Sequence, residues 1–406
     1  MINFLKNILI RRSITYLLSF LKNGIISRKY ILFSPVSNMV YSGNVKYLFE
    51  YLSSQKTENC YWYTNNTEIK RYLDQKHFKY ISSSRPLHMI WVLLKTKIVF
   101  SDGDNYINTF ELLHNFNTIK IYLGHGQGPK TTLEKNNPMN SEKDQIKRIH
   151  KFDLINIPSN DSMKFIGKDM YKLSDNKIIN IGYPRCDQFY NNSNSENKDI
   201  LNHLTNGQSN SYSKLILYTP TWRPYVQELP LLDMHGLSLT KFNDWLTMNN
   251  IFFLFTLHPH AKMKKNKFNQ ISNITFIDTS VHPFFDVNEL MLETDILLND
   301  YSTTSVDFSI LNKPQVFFMP DYDIYNEKKG FIGDYRSEMP GIEVNTYSDF
   351  IIQLQNILEN SYQYINKYKQ KSDNILYKYY NIKHSKSVVS YYDLIKDILK
   401  TRRGFK

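Results

Sequence analysis

The sequence predicts an α/β protein made of two parallel-sheet domains. Apolar runs of strand length alternate with helix-like segments along nearly the whole chain, as they do in parallel sheets covered by helices on both faces. One Asn/Ser-rich stretch, Asn191 to Ser213, interrupts the series and is polar enough to connect domains. At 406 residues, each half is long enough to bury its own core.

In chain order, the runs before the break are YILFSP, CYWYT, KIVFSD, IKIYLGHG, LINIPS and KIINIGYP; after it come KLILYTPTW, IFFLFTLHPH, ITFID, DILLND and QVFFMPD. From Thr346 the pattern becomes helical, with Phe350, Ile351, Leu354 and Leu358 on one face, and YYDLIKDILKTRR closes the chain. The expected division is a basic amphipathic segment over 1–28, an N-terminal α/β domain over 29–205, a C-terminal α/β domain over 206–375 and a helical segment over 376–406. Residues 1–30 carry six basic side chains and no acidic one, with Phe4, Leu5, Ile8, Leu9, Tyr16, Leu17 and Phe20 at helical spacing. Such a helix lies either in a membrane interface or on its own domain, and without a small-residue cleavage site it does not read as a signal peptide.

The net charge of +12 calls for an anionic partner: nucleic acid, an anionic lipid surface or a phosphorylated substrate. The aromatic residues sit inside the apolar runs and do not interleave with basic ones as a stacking surface requires, so no nucleic-acid partner is expected. Cys60 and Cys186 form no CxxC pattern, which gives neither a disulfide framework nor a zinc site and fits the cytoplasm. No apolar stretch nears the roughly 20 residues that span a bilayer; the best, MIWVLL and IFFLF, are of strand or core-helix length.

Ligands of open α/β sheets bind at the C-terminal ends of the strands. The residues that follow the runs here are rich in chemistry. GHGQGPK places His125 between two glycines that permit close approach, with Lys130 behind it. GYPRCD brings Arg185; TPTWRP brings Thr221, Trp222 and Arg223; TLHPH brings His258 and His260, the second read as structural. DILLNDYSTTSVDFSILNKPQVFFMPDYDIY, residues 295–325, reads as strand, hydroxyl-rich turn, helix and strand, a βαβ unit. One of its hydroxyls can cap the helix; Ser302, Thr303, Thr304 and Ser305 together suit a phosphate at the helix N-terminus. Asp102 and Asp104 in SDGDN have the D-x-D spacing of some metal-dependent transferases, but a short Asp/Gly cluster is more often a turn, and no metal ligand is assigned.

GHGQGPK, GYPRCD, YTPTWR, LHPH and DYSTTSVDFSILNKPQVFF resemble, in order and spacing, motifs of the CDP-glycerol glycerophosphotransferase family of teichoic acid and capsule polymer enzymes. The resemblance runs from about Lys29 to the C-terminal helices. It implies a GT-B-like fold, two Rossmann-type parallel-sheet domains facing across a cleft with helical N- and C-terminal segments. It implies a CDP-glycerol or CDP-ribitol donor, a lipid-linked or polymeric acceptor, an anionic membrane surface as a partner, and a peripheral location at the inner face of the membrane, with no cofactor. Residue by residue, His125 and His258 match the family's two essential histidines. Gly126, Gln127, Gly128 and Pro129, with Arg185, Thr221 and Trp222, match donor contacts, and Ser302, Thr303 and Asp307 match its phosphate and glycerol end. Gly124 and Thr256 stand where the family commonly has tryptophan and arginine, so Thr256 and Leu257 line the site with a departure in it.

The expected reaction is attack of an acceptor hydroxyl on the phosphorus that bears glycerol, with CMP leaving. His125 is the expected base, and His258 with Arg223 or Arg185 the expected counter-charge to the diphosphate. The alternative is a GT-B glycosyltransferase using a UDP- or CMP-sugar in capsule or lipopolysaccharide synthesis.

Overall fold

The structure is a computed structural model. It describes residues 28–55, 59–104, 118–131, 141–190, 201–202, 207, 212–223, 225, 229–257, 271–278, 282–380 and 386–400. The basic segment over 1–28, Arg28 apart, lies outside these, as do His258 and most of the Asn/Ser-rich stretch.

Two α/β units are present, each with a wholly parallel sheet. In the first, β1 (Tyr30–Ser34), β2 (Cys60–Tyr63), β3 (Tyr80–Ile81), β4 (Thr96–Ser101), β5 (Ile119–Tyr122), β6 (Leu154–Asn156) and β7 (Ile178–Ile179) lie in the order β3-β2-β1-β4-β5-β6-β7. In the second, β8 (Lys214–Thr219), β9 (Ile251–Leu257), β10 (Ile274–Asp278), β11 (Ile296–Asn299), β12 (Gln315–Phe317) and β13 (Ile342–Glu343) lie in the order β10-β9-β8-β11-β12-β13. Ile31, Leu32 and Phe33 in β1, and Ile216, Leu217 and Tyr218 in β8, are buried, because central parallel strands are covered on both faces.

Each strand-like run of the sequence became a strand. β3 and β13 were not read: both are two-residue edge strands, too short for any apolar pattern to register. MIWVLL is helical, within Pro86–Lys95, where Pro86 at the first turn starts the helix at no cost in hydrogen bonds. In the tail, Phe350 and Leu354 point from the helix Tyr347–Glu359 into the core of the second unit, beside Phe242 and Phe253. Among the described residues no helix is long and apolar enough to cross a membrane.

The units are not contiguous halves. By contacts, the first comprises 1–125, 142–187 and 386–406, and the second 126–141 and 188–385. The stretch 29–205 thus gives 126–141 and 188–205 to the second unit, and the final helix, Ser387–Lys400, joins the first. Tyr391, Ile395 and Ile398 of that helix are buried, and the Tyr391 hydroxyl donates to the Gly182 carbonyl at 3.4 Å. Gly182 has φ +101°, and a Cβ there would stand 2.6 Å from the Ser387 hydroxyl, so the docking demands glycine. The Asp187 carboxylate accepts the first N–H groups of the helix, from Ser387 at 3.1 Å and Val388 at 2.9 Å. These donors have no partner inside a helix, so a buried carboxylate satisfies them and complements the dipole.

Asp187→Ala should therefore cost about 1–2 kcal/mol in urea denaturation. Hydrogen exchange should show the loss concentrated in the amides of Ser387 to Tyr391.

Candidate active site

In the second unit the chain runs from β8 to β9 and β10 on one side, then returns to place β11 on the other. The strand order reverses between β8 and β11, and their C-terminal ends open where open α/β sheets bind ligands. Two loops emerge there, Thr219 to Arg223 and Asp300 to Thr304.

Asp300 joins them. Its carboxylate has no exposed surface; it accepts the Thr221 N–H at 2.9 and 3.0 Å and the Tyr301 N–H at 2.5 Å, and pairs with Arg223 Nη2 at 2.8 Å. Arg223 Nε stands 2.8 Å from Asp321, and Nη1 donates to the Thr221 carbonyl at 2.9 Å. Neither ion-paired nitrogen directs its N–H along a hydrogen-bond axis, so these two contacts are chiefly electrostatic. Tyr301 and Tyr225 donate to Asp321 at 3.1 and 3.0 Å, and the guanidinium lies 4.8 Å from the centre of the Tyr301 ring. Burial works against the Arg223 charge, but Asp300 and the other neighbours outweigh it and raise its pKa. Burial, with Asp321 and Asp300 close by, raises the Tyr301 phenol and keeps it a neutral donor.

The hydroxyl turn is partly committed. Thr304 and Thr219 share a hydrogen bond of 2.8 Å between their hydroxyls, and Ser302 accepts the Thr304 N–H at 3.4 Å. Thr303 occupies the cap position of the helix Thr304–Ser309, yet its side chain makes no cap hydrogen bond. Capping therefore does not account for Thr303. Asp307 is buried and accepts from the Tyr380 hydroxyl, so it is held within the fold.

A third segment completes this end of the sheet. Gly128 is so close to the turn that a Cβ would stand 3.0 Å from Thr303 Cγ2 and 3.4 Å from Val306 Cγ2. Lys130 bridges antiparallel to Phe331, the Pro129 carbonyl accepts the Ile332 N–H at 2.8 Å, and the Thr131 N–H donates to Gly330 at 3.1 Å. Gly126 to Pro129, Thr221, Trp222, Ser302 and Thr303 are thus brought to one place in one unit. Gln127 Oε1, Thr221 Oγ1 and Ser305 Oγ there are buried with no hydrogen-bond partner among the described residues. Thr256 is half-buried near the end of the neighbouring strand β9, and Leu257 closes that strand.

His125 and Arg185 belong to the first unit. The Asn44 side chain ties their loops, donating to the Gly124 carbonyl at 2.7 Å and accepting the Arg185 N–H at 3.2 Å. His125 is exposed, with Nδ1 3.3 Å from the Asp102 carbonyl. A carbonyl only accepts, so this contact is a hydrogen bond when Nδ1 carries a proton. Arg185 is buried over the Tyr183 ring, 4.4 Å from its centre. Asp102 accepts the Val45 N–H at 3.1 Å, while Asp104 pairs with Arg148 at 2.9 Å, so the two carboxylates of SDGDN serve separate neighbours.

The profile of a family described as CDP-glycerol:poly(glycerophosphate) glycerophosphotransferase matches residues 14–392. The chain belongs to that family. The teichoic acid glycerol-phosphate primase of Bacillus subtilis (strain 168) is 30% identical over 274 residues, 64% of this chain and 66% of the primase. The teichoic acid poly(glycerol phosphate) polymerase of the same organism is 24% identical over 359 residues, 83% of this chain but 45% of the polymerase. This glycerophosphotransferase-family chain thus spans between 45% and 66% of the length of those two relatives. In fold, it is similar to the wall teichoic acid polymerase TagF, in a structure soaked with CDPG, with a TM-score of 0.75 at 23% identity over 98% of this chain and 96% of that one. The two α/β units are accordingly GT-B-like.

Asp300 and Asp321 were passed over in the sequence, although each closely follows a buried strand and the first directly precedes the hydroxyl run. An acidic residue at each of two neighbouring strand ends, beside a loop carrying Trp-Arg, was the available signal.

Removing one partner of a buried pair leaves an uncompensated charge. Asp300→Ala should lower stability by roughly 3–5 kcal/mol in urea denaturation. Combining it with Arg223→Met should cost less than the sum of the two single changes.

Proposed function

We propose that the protein transfers an alditol-phosphate unit, glycerophosphoryl from CDP-glycerol in the first instance or its ribitol counterpart, to a hydroxyl of a lipid-linked or polymeric acceptor in teichoic acid or capsule synthesis. Membership of the family sets the class of reaction. The observation that carries the reading to this chain is Gly128 against Thr303, which assembles the GQGP loop and the hydroxyl turn, far apart in sequence, at the strand-order reversal of the second unit.

In the proposed reaction the acceptor oxygen bonds to the phosphorus bearing glycerol, the bond from that phosphorus to the bridging oxygen breaks, and CMP departs with the electron pair. The acceptor proton passes to Nε2 of His125, with Nδ1 protonated and donating to the Asp102 carbonyl. Ser302 and Thr303 supply donors to the phosphates, Gln127 and Thr221 further polar contacts, and His258 stabilises charge on the leaving group. The basic N-terminal segment draws the protein to an anionic membrane at its inner face, at about 1 kcal/mol per cationic side chain near the surface.

Purified protein with CDP-glycerol, CDP-ribitol and a panel of nucleotide sugars should release CMP with a CDP-alditol. Release of UDP from a UDP-sugar, with none of CMP from CDP-glycerol, would overturn the reading. His125→Ala should lower turnover by on the order of 10²-fold or more, with the melting temperature nearly unchanged.

The Ser302→Ala, Thr303→Val double variant loses hydrogen bonds to a charged group, so donor affinity should drop at least about tenfold. Calorimetric titration with a non-hydrolysable CDP-glycerol analogue, beside a thermal melt, measures this. Unchanged affinity with a lowered melting point would leave those hydroxyls a purely structural role.

A further inference from the structure

A charged site that receives a diphosphate needs a cation whose charge is not already matched. Arg223 is the cation that the sequence puts forward in the second unit, and it is taken. Its side chain is 1% exposed and faces Asp300 and Asp321 at 2.8 Å each. Asp300 in turn is occupied by the N–H groups of Thr221 and Tyr301, and Asp321 by the hydroxyls of Tyr225 and Tyr301.

Lys130 is different. Its backbone is fixed by the bridge to Phe331, between the Pro129–Ile332 and Thr131–Gly330 hydrogen bonds, and Gly128, two residues earlier, abuts Thr303. Among the described residues its ammonium has no hydrogen bond and no ion pair. The charged groups that face it are Asp300 at the end of β11, Arg223 from the loop after β8, and Lys329 just past the helix Tyr322–Lys328. Arg223 and Lys329 are like charges to Lys130, and the Asp300 carboxylate that faces it is already paired with Arg223. Lys130 is half-buried, and that burial, with Arg223 and Lys329 nearby, draws its pKa down to about 8 against the pull of Asp300. At the same end of the sheet, Gln127 Oε1 and Thr221 Oγ1 are buried with no hydrogen-bond partner among the described residues.

We infer that Lys130 is the cation that contacts the diphosphate of the cytidine donor in the second unit. The inference rests on the donor class proposed above and adds the residue that supplies the charge. The clamped backbone fixes where the lysine stem begins, and a diphosphate supplies anionic oxygens to its ammonium that Asp300, paired with Arg223, does not.

Lys130→Met and Lys130→Gln test it by calorimetric titration at pH 7 with CDP and, separately, with cytidine. Both variants should bind CDP at least about tenfold more weakly and cytidine as the wild type does, and their melting temperatures should not fall, since a desolvated charge has been removed. In the wild type, CDP affinity should decline as pH rises past about 8, where the ammonium loses its proton, and the variants should lack that decline. Wild-type CDP affinity in either folded variant, or an equal loss for CDP and cytidine, overturns the role of Lys130. A wild type that binds neither CDP nor CDP-glycerol overturns the donor reading itself, a result distinct from the first two.

Discussion

The carboxylate of Asp300 is out of reach of water, and a charge in that position is tolerable only if every side of it is met. Arg223 and the Thr221 and Tyr301 N–H groups meet it, while the Tyr335 hydroxyl donates to the Asp300 backbone carbonyl at 2.5 Å. The result is a clamp between the two loops that emerge where the strand order reverses. A pair of this kind adds little net stability, because desolvation cancels much of the attraction. Its value is geometric: Thr221 cannot move without leaving a charge unmatched, and neither can the turn that begins at Tyr301. The aromatic cluster of Tyr301, Tyr325, Tyr335 and Phe331 packs around the clamp and shields it, with ring centres 4.0 Å apart for Tyr301 and Tyr325 and 4.6 Å for Phe331 and Tyr335.

Much of the architecture was legible because a parallel sheet buries both faces of its central strands, so YILFS or KLILY announces itself without reference to anything distant. The edge strands Tyr80–Ile81 and Ile342–Glu343 are defined by a neighbour and not by their own composition. The candidate site divides in the same way. Glycines and hydroxyls after a strand are local signals, and GQGP and DYSTT were found through them. What the side chains do there depends on partners far along the chain. The ion pairs of Arg223 with Asp300 and Asp321, and the hydrogen bond of Asp307 with Tyr380, join residues too far apart in sequence for any local pattern to show. Asp187, noted only as the end of GYPRCD, caps a helix some two hundred residues away.

The two units obey one rule with different contents. Each sheet has a reversal of strand order, between β1 and β4 in the first and between β8 and β11 in the second. In the first, Asn44, which follows β1, ties the loop after β5 that carries His125 to the loop after β7 that carries the buried Arg185. In the second, the loops after β8 and β11 hold hydroxyls and unmatched polar atoms. The histidine loop and the hydroxyl-rich turn thus stand on different units.

The final helix docks on the first unit, burying Tyr391, Ile395 and Ile398 beneath Gly182 and Phe100. A ribosome delivers the chain from one end, and domains generally fold in the order in which they emerge. Here the first unit to be synthesised lacks a wall until the last stretch has been made, so the second unit can close before it does. The side of the first unit around Gly182 and Phe100 is therefore completed only after the second unit has been made.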